Sequence, residues 1–139
     1  MNASVKPVLV IDRDPETRSA VLGILLGAGI HSIDSEDGFE AVGRIEAGSY
    51  GAILLDVCET PSRVDRTMPM GFGVLEHLHR SQPTMLPRVI VMTSNAPLFV
   101  SSPWFDRVGG LILKPVDGPA LLAALRDRIG DNPELPASD

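Results

Sequence analysis

Two carboxylates, a hydroxyl and an amine each follow a short apolar run of the sequence: Asp12, Asp56, Thr93 and Lys114. Short continuous apolar runs that end on a polar residue are typical of strands buried on both faces of a sheet. If these strands lie parallel, the four side chains converge on the carboxyl edge of one sheet, where open α/β sheets bind their ligands. A carboxylate at such an edge can act as a nucleophile, and an ammonium beside it can neutralise an anionic group.

Strands and helical segments alternate along the chain, which predicts a doubly wound α/β fold built on a parallel sheet. The predicted strands cover residues 8–12, 30–35, 50–56, 89–93 and 110–114, and the predicted helices cover residues 15–28, 40–47, 71–80 and 120–129. Asp14, Asp37 and Asp117 stand where helix N-caps are expected, and Gly29 suits the left-handed position after the first helix. Two prolines within residues 94–108 argue against a regular helix there.

Composition limits the classes of protein to which the chain can belong. Its 139 residues, 44% of them hydrophobic, suit one globular domain. We assign that domain to residues 7–130, between a flexible N-terminus (1–6) and a tail or linker (131–139). A net charge of -6 argues against a nucleic-acid surface. No apolar run approaches the roughly 18 residues of a membrane span, no secretory signal is visible, and the single cysteine, Cys58, fits a reducing cytoplasm.

In this order the residues resemble those of one known family, the receiver domains of two-component response regulators. The resemblance spans about residues 7–129. Asp12 resembles the first acid of the family's acidic pair, and Asp56 resembles its phosphoryl acceptor. Thr93 resembles the family's Thr/Ser position, and Lys114-Pro115 resembles its Lys-Pro pair. Residues 37–41 resemble the opening of the family's second helix, and residues 68–69 with Gly73 resemble the turn that follows the acceptor.

This resemblance implies a fold, a reaction, a cofactor and partners. The fold would be a five-stranded parallel, flavodoxin-like sheet in the order 2-1-3-4-5 with helices on both faces. Asp56 would accept a phosphoryl group from a histidine kinase or a histidine phosphotransfer protein and switch binding to an effector domain or downstream protein. Mg²⁺ would be bound by Asp12, Asp56 and the Cys58 backbone carbonyl. Lys114 would pair with the phosphoryl group, and Thr93 would move inward to hydrogen-bond it.

Arg13 occupies the family's second acidic position, and its positive charge repels a cation. Two unlike unit charges about 4 Å apart gain roughly 4 kcal/mol at an effective dielectric constant near 20. We therefore hypothesise that the Arg13 guanidinium occupies or borders the cation site and pairs with Asp12 or Asp56. Mg²⁺ would then bind weakly, and phosphorylation would be slow or absent. In the alternative, Arg13 faces solvent and Asp14 serves as the ligand, although Asp14 is also expected to cap the first helix.

A longer connection after Asp56 is a second departure from the family pattern. Residues 59–67, between Cys58 and Met68, are nine additional, mostly polar residues. They could cover the acceptor or contact a specific partner, with Arg63 and Arg66 as anion-binding side chains. A tolerated insertion is the alternative, because lengthening a surface loop costs little.

Leu111 is a third departure, because the family usually has an aromatic residue there that moves with the Thr/Ser side chain. Together with the proline-containing segment 94–108, Leu111 makes the family's usual output face (fourth helix, fifth strand and fifth helix) an uncertain partner surface here. Phe99, Trp104 and Phe105 lie in or beside this face. We expect these three rings in the core, with an exposed binding patch as the alternative.

Two other functions remain open at this stage. A pseudo-receiver would keep the fold and act as a binding module without phosphorylation, because Arg13 replaces a metal-binding acid. The run Asp12 to Asp14 also resembles the Asp-x-Asp motif of haloacid-dehalogenase-type phosphatases, with Thr93 and Lys114 as their further motifs. Against the phosphatase, Glu16 stands where that motif has Thr or Val, and no later strand ends on an acidic pair. The receiver is therefore the favoured prediction, a signalling domain rather than an enzyme.

Overall fold

A single sheet of five parallel strands, in the order β2-β1-β3-β4-β5, organises the computed structural model, which describes residues 6–57 and 71–129. The strands are β1 (Val8–Ile11), β2 (Ser32–Ser35), β3 (Ala52–Asp56), β4 (Val89–Thr93) and β5 (Gly110–Leu113). The helices are α1 (Pro15–Gly27), α2 (Gly38–Ala47), α3 (Gly71–Ser81), α4 (Ala96–Val100) and α5 (Gly118–Ile129). The predicted fold class and strand order are confirmed. None of the helices in the described ranges has the length and apolar character that crossing a membrane requires.

Helices cover both faces of the sheet, and alternate strand residues supply the two halves of the core. One half packs strand residues such as Leu9 and Leu55 against α2, α3 and the buried Phe99. The other half packs strand residues such as Val10 and Leu54 against α1 and α5. Burying a large aliphatic side chain contributes about 1.5–3 kcal/mol, so this two-sided burial holds the strand ends rigidly in register. The near-continuous apolar strands of the sequence are the direct consequence.

Helix α1 begins and ends where its sequence predicts. Asp14 is the N-cap, and its carboxylate accepts hydrogen bonds from the backbone N–H groups of Glu16 (3.2 Å) and Thr17 (3.4 Å). Gly29, with φ of 77°, follows the last turn, and the next N–H, that of Ile30, donates to the Leu25 carbonyl at 2.9 Å. This hydrogen bond is characteristic of a Schellman motif, which requires a residue in the left-handed conformation, and glycine adopts that conformation at little cost.

The segment between β4 and β5 contains only a short helix. Helix α4 has five residues, and residues 101–109 continue as turns, in agreement with the expectation that no regular helix spans 94–108. The three aromatic residues have different environments: Phe99 is fully buried, Trp104 packs partly buried against the core, and Phe105 is 41% exposed. The expectation of a core position is therefore correct for Phe99, partly correct for Trp104 and wrong for Phe105. A 3₁₀ helix before β4 (Pro83–Arg88), which the sequence did not predict, completes the fold.

Candidate functional site

The predicted convergence of side chains occurs at the carboxyl edge of the sheet. The Lys114 Nζ atom lies 3.0 Å from Asp12 Oδ2 and 2.8 Å from Asp56 Oδ1, so one ammonium bridges both carboxylates. Strands β1 and β3 are adjacent and in register, which brings the two Asp residues side by side at their ends. The Lys114 backbone N–H donates to the Thr93 carbonyl at 2.8 Å and continues the β4–β5 pairing beyond the end of β5. The side chains are largely shielded from water, with exposed fractions of 0% for Asp12, 12% for Asp56 and 12% for Lys114.

Asp12 is the most deeply buried charged group of the site. Its Oδ1 atom accepts a hydrogen bond of 2.8 Å from the Asp14 backbone N–H. Its buried Oδ2 atom has the Lys114 charge at 3.0 Å, but this contact lacks hydrogen-bond geometry, and no other described residue satisfies the oxygen. Burial, reinforced by the neighbouring charge of Asp56, raises the pKa of Asp12 above its usual value, against the opposing effects of the Asp14 N–H and Lys114.

Lys114 is the charge partner of both acids. Burial alone would lower its pKa, but the contacts with Asp56 and then with Asp12 outweigh burial and raise the pKa of Lys114 above its usual value. The ammonium is therefore protonated at neutral pH. A fixed positive charge held in a poorly hydrated site interacts strongly with any anion that approaches Asp56, because the low local dielectric screens it weakly.

Thr93 is buried at the end of β4, and its hydroxyl belongs to the turn that leads into α4. The Thr93 Oγ1 atom accepts a hydrogen bond of 3.0 Å from the Asn95 backbone N–H. The Asn95 side chain in turn caps α4 by accepting from the Leu98 N–H at 3.3 Å. Movement of the Thr93 hydroxyl would therefore disturb the beginning of α4 directly.

Two carboxylates of the site are suitable ligands for a divalent cation. The buried Asp12 Oδ2 atom, which lacks a hydrogen bond, is an oxygen that a cation would satisfy, and Asp56 supplies a second ligand. Asp14 has a different role: its carboxylate caps α1, and a 2.7 Å hydrogen bond from the Thr17 hydroxyl lowers its pKa. Arg13 is exposed. Within residues 6–57 and 71–129, no three His, Cys, Asp or Glu residues are grouped so that they could hold a metal ion.

Several residues named from the sequence lie outside the described ranges. They are Cys58 with its backbone carbonyl, the additional segment 59–67 with Arg63 and Arg66, and the pair 68–69. The roles predicted for them remain predictions. Leu111 is described: it is partly buried and packs against the half of the core that α2 and α3 cover.

Solved receiver structures have the same architecture. A CheY-like response regulator receiver domain from Methanospirillum hungatei JF-1 aligns with a TM-score of 0.74 and 23% identity, over 93% of this chain and 97% of that one. The receiver domain of a sensor histidine kinase from Pseudomonas aeruginosa PAO1 was solved with magnesium coordinated in its active-site cleft. It aligns with a TM-score of 0.73 and 22% identity, over 91% of this chain and 99% of that one. The response regulator TrrA from Thermotoga maritima, solved with Mg²⁺ and BeF, aligns with a TM-score of 0.72 and 20% identity, over 88% of this chain and 97% of that one.

This chain has the receiver-domain fold. The resemblance predicted from the sequence motifs is thus confirmed at the level of the fold. No protein-family model matches the sequence, and no curated protein matches it significantly. Because the identities to the solved receivers are low, the roles of individual residues depend on the geometry of this chain.

Gly71 borders the candidate site, although the sequence did not single it out. It opens α3, and a Cβ atom at this position would lie 2.7 Å from the Asp56 carbonyl oxygen and 2.8 Å from Val57 Cγ2. Real Cβ contacts are essentially never that short, so any side chain at position 71 would force the start of α3 and the end of β3 apart. The sequence resemblance drew attention to Gly73 in this turn, whereas the contact with Asp56 belongs to Gly71. A glycine as the first residue of a predicted helix was the available signal.

Arg18 is the second residue that the sequence did not reveal. It lies on α1, and its Nη1 atom donates a 2.7 Å hydrogen bond to the Asp12 carbonyl oxygen. Six positions separate the two residues, and nothing in the helical periodicity indicates that a side chain of α1 reaches back to the end of β1. Only the packing of α1 beside β2 makes that contact possible.

Proposed function

We propose that this chain is the receiver domain of a two-component system and that Asp56 accepts a phosphoryl group from a histidine kinase or a histidine phosphotransfer protein. The observation that carries the proposal is the Lys114 ammonium, held 2.8 Å from Asp56 and 3.0 Å from Asp12 in a largely shielded site. A nucleophilic carboxylate beside a fixed positive charge is what transfer of an anionic phosphoryl group requires. The receiver-domain fold of the chain supports the same assignment.

In this reaction an Asp56 carboxylate oxygen attacks the phosphorus of a phosphohistidine. The new O–P bond forms as the P–N bond breaks, and the electron pair of that bond returns to the histidine ring. Lys114 then neutralises part of the charge on the phosphoryl oxygens, while burial keeps competing water away. Mg²⁺, when bound by Asp12, Asp56 and the Cys58 backbone carbonyl, would supply the remaining charge neutralisation.

Thr93 is the proposed link between phosphorylation and partner binding. Its hydroxyl accepts the 3.0 Å bond from the Asn95 N–H, so the inward movement that the family resemblance implies would stretch or break that bond. Because Asn95 caps α4, that change alters the turn before α4 and the surface beyond it. Two exposed apolar residues belong to neighbouring parts of the chain: Phe105 lies in the turns that follow α4, and Leu113 pairs with Thr93 at the end of β5. We propose that an effector domain or downstream protein contacts them.

A second candidate function is that of a pseudo-receiver, which would bind partners without being phosphorylated. Two observations favour it: the Lys114 ammonium already bridges the carboxylates of Asp12 and Asp56, and Arg13 follows Asp12 where the family has a second acid. Asp14 caps α1 and is not a convincing replacement ligand. Carboxylates that are already paired with an ammonium attract Mg²⁺ less strongly than free ones, in line with the hypothesis drawn from Arg13.

Enzymatic turnover is the least supported function. The phosphatase alternative assigns a role to both acids of the Asp12 to Asp14 run, yet the Asp14 carboxylate is exposed and bonded to the first turn of α1. We therefore propose a phosphoacceptor domain that acts in the cytoplasm, as the single cysteine of the sequence suggests, and that undergoes at most its own phosphorylation and dephosphorylation.

The deciding experiment is labelling with acetyl phosphate and Mg²⁺, measured by intact-protein mass spectrometry, with Asp56→Asn as the control. A receiver gains one phosphoryl group, and the Asp56→Asn variant gains none. Beryllofluoride with Mg²⁺ gives a parallel test by NMR, in which resonances of Thr93 and Asn95 should shift. The absence of both responses would favour the pseudo-receiver, and continuous release of p-nitrophenol from p-nitrophenyl phosphate would favour the phosphatase.

A further inference from the structure

The Arg18 guanidinium joins three groups near the site. Its Nη1 atom donates to the Asp12 carbonyl oxygen at 2.7 Å, its Nε atom lies 3.4 Å from Asp34 Oδ2, and its Nη2 atom lies 3.7 Å from Glu36 Oε2. Asp34 belongs to β2 and Glu36 follows it. The Arg18 side chain is only 16% exposed, whereas the two acids are 51% and 69% exposed. The covered part of this cluster is therefore the contact with the Asp12 backbone.

Asp12 is held in place through its backbone on both sides. Its N–H donates to the Ser35 carbonyl at 3.1 Å, and its own carbonyl accepts from Arg18. With the backbone fixed, only two side-chain torsions remain, and the Asp14 N–H restrains these by its bond to Oδ1. The orientation that results directs Oδ2 toward Lys114. The Arg18 bond also fixes the peptide plane between Asp12 and Arg13, and hence the direction in which the chain leaves the site.

Arginine suits this position because of the shape of its side chain. The planar guanidinium presents several N–H donors in fixed directions, so it can bond a carbonyl and face two carboxylates at once. A lysine ammonium could keep the charge but could not satisfy the three groups in the same geometry. The exposed acids alone would stabilise the cluster little, since water screens such pairs. Their effect is to orient the guanidinium whose buried edge holds Asp12.

We propose that Arg18 is a positioning residue for the Asp56 site: it connects the end of β2 to the Asp12–Arg13 peptide and thereby fixes the Asp12 carboxylate beside Lys114. The consequence for phosphoryl transfer rests on the proposed receiver function, whereas the effect on the position of Asp12 does not. The experiment therefore needs one measurement that works without phosphorylation and one that requires it.

The first measurement is amide NMR on Arg18→Gln, with Arg44→Gln as the matched control. Arg44 approaches the same end of β2 from α2, where its Nε atom donates to Ser35 Oγ at 3.0 Å. In Arg18→Gln, the Asp14 N–H, which bonds Asp12 Oδ1, should shift upfield and lose about fivefold in exchange protection, as expected for one weakened hydrogen bond. The Asn95 N–H, across the site, should keep its shift and protection, and Arg44→Gln should leave both amides unchanged.

The second measurement is the rate of Asp56 labelling by acetyl phosphate. Arg18→Gln should label about tenfold more slowly, because the reacting groups lose their alignment. Arg18→Lys should recover part of the rate, and Arg44→Gln should label like the wild type. Loss of rate in Arg18→Gln with an unchanged Asp14 amide would overturn the proposal, since Arg18 would then act by its charge alone.

The two measurements separate the failure of the proposed function from the failure of this inference. If the wild type is not labelled but the Asp14 amide responds to Arg18→Gln, the receiver function fails and the positioning role stands. If the wild type is labelled and the amide does not respond, the positioning role fails. Should Arg18→Gln not fold, the Asp34→Asn/Glu36→Gln double variant replaces it; it must change the same amide to a smaller extent, and no change there overturns the proposal.

Discussion

Replacing Gly71 by alanine tests the tight approach of the start of α3 to the backbone of the candidate acceptor. The added Cβ would lie 2.7 Å from the Asp56 carbonyl oxygen and 2.8 Å from Val57 Cγ2, where ordinary van der Waals contacts begin near 3.4 Å. The two backbones must therefore separate by about 0.7 Å, the difference between 3.4 and 2.7 Å. The carbonyl is backbone and cannot rotate away as a flexible side chain would. The shift must involve the start of α3 or the end of β3, which carries Asp56.

The cost of this substitution follows from overpacking a fixed contact, which typically amounts to about 1–3 kcal/mol of unfolding free energy. Unfolding entropy is about 2.1 cal/mol/K per residue near 60 °C, so for 139 residues each kcal/mol lowers Tm by about 3.4 °C. We expect Gly71→Ala to unfold about 3–10 °C below the wild type. Asp56 labelling should also slow, because movement of the Asp56 backbone lengthens its 2.8 Å contact with Lys114.

Circular dichroism melts and acetyl phosphate labelling, measured on the same samples, check both expectations. The matched controls are Gly23→Ala in α1 and Gly43→Ala in α2, where an added Cβ has no heavy atom within 4 Å. In these helix interiors alanine should raise stability by about 0.5–1 kcal/mol, the opposite sign to Gly71→Ala. If Gly71→Ala melts with or above the wild type, the tight contact does not exist as described and the reasoning fails.

Three further substitutions test the charges and the cap at the site. Arg13→Asp should bind Mg²⁺ about tenfold or more tightly than the wild type, because the cation gains a carboxylate ligand and loses a repelling positive charge. Isothermal titration calorimetry measures the Mg²⁺ affinity of both proteins. Asp12→Asn should raise Tm at neutral pH. Because the pKa of Asp12 is raised in the folded protein, its negative charge destabilises the folded state above that pKa. The gain in Tm should vanish in acid, where the wild-type carboxyl is protonated. Asp14→Ala removes the N-cap of α1, so its free energy of unfolding, measured in urea, should be about 1 kcal/mol below that of the wild type. Its Mg²⁺ affinity should be unchanged.

Each of these expectations has an outcome that contradicts it. Equal Mg²⁺ affinity in Arg13→Asp and the wild type would show that Arg13 does not weaken the cation site. A pH-independent difference between Asp12→Asn and the wild type would show that the effect comes from packing rather than from ionisation. Loss of Mg²⁺ binding in Asp14→Ala would make Asp14 a ligand, contrary to its role as the N-cap of α1.

Local signals in the sequence were sufficient for the five strands and for the helices other than α4 and the 3₁₀ helix. The apolar runs marked the strands because a strand covered on both faces needs apolar residues throughout. Asp14 and Gly29 marked the ends of α1 because unpaired backbone groups there require a capping oxygen and a left-handed residue. The two prolines of residues 94–108 argued against a regular helix over that segment for an equally local reason, and only the five-residue α4 forms there. Each inference involved residues only a few positions apart.

The sequence by itself therefore determined the five strands and four of the five α-helices, with ends within about two residues of those observed, and which polar residues occupy the strand ends. It did not predict α4 or the 3₁₀ helix before β4. Only the tertiary structure decided which side chains meet: that Lys114 bridges both carboxylates, that Arg18 holds the Asp12 carbonyl, and that Gly71 packs on the Asp56 carbonyl. It also decided that Phe99 is buried while Phe105 remains partly exposed. The physical reason is that these contacts join residues on different elements, so they depend on how helices pack on the sheet. Hydrophobic periodicity identifies the buried face of an element but does not fix the neighbour at each position on that face.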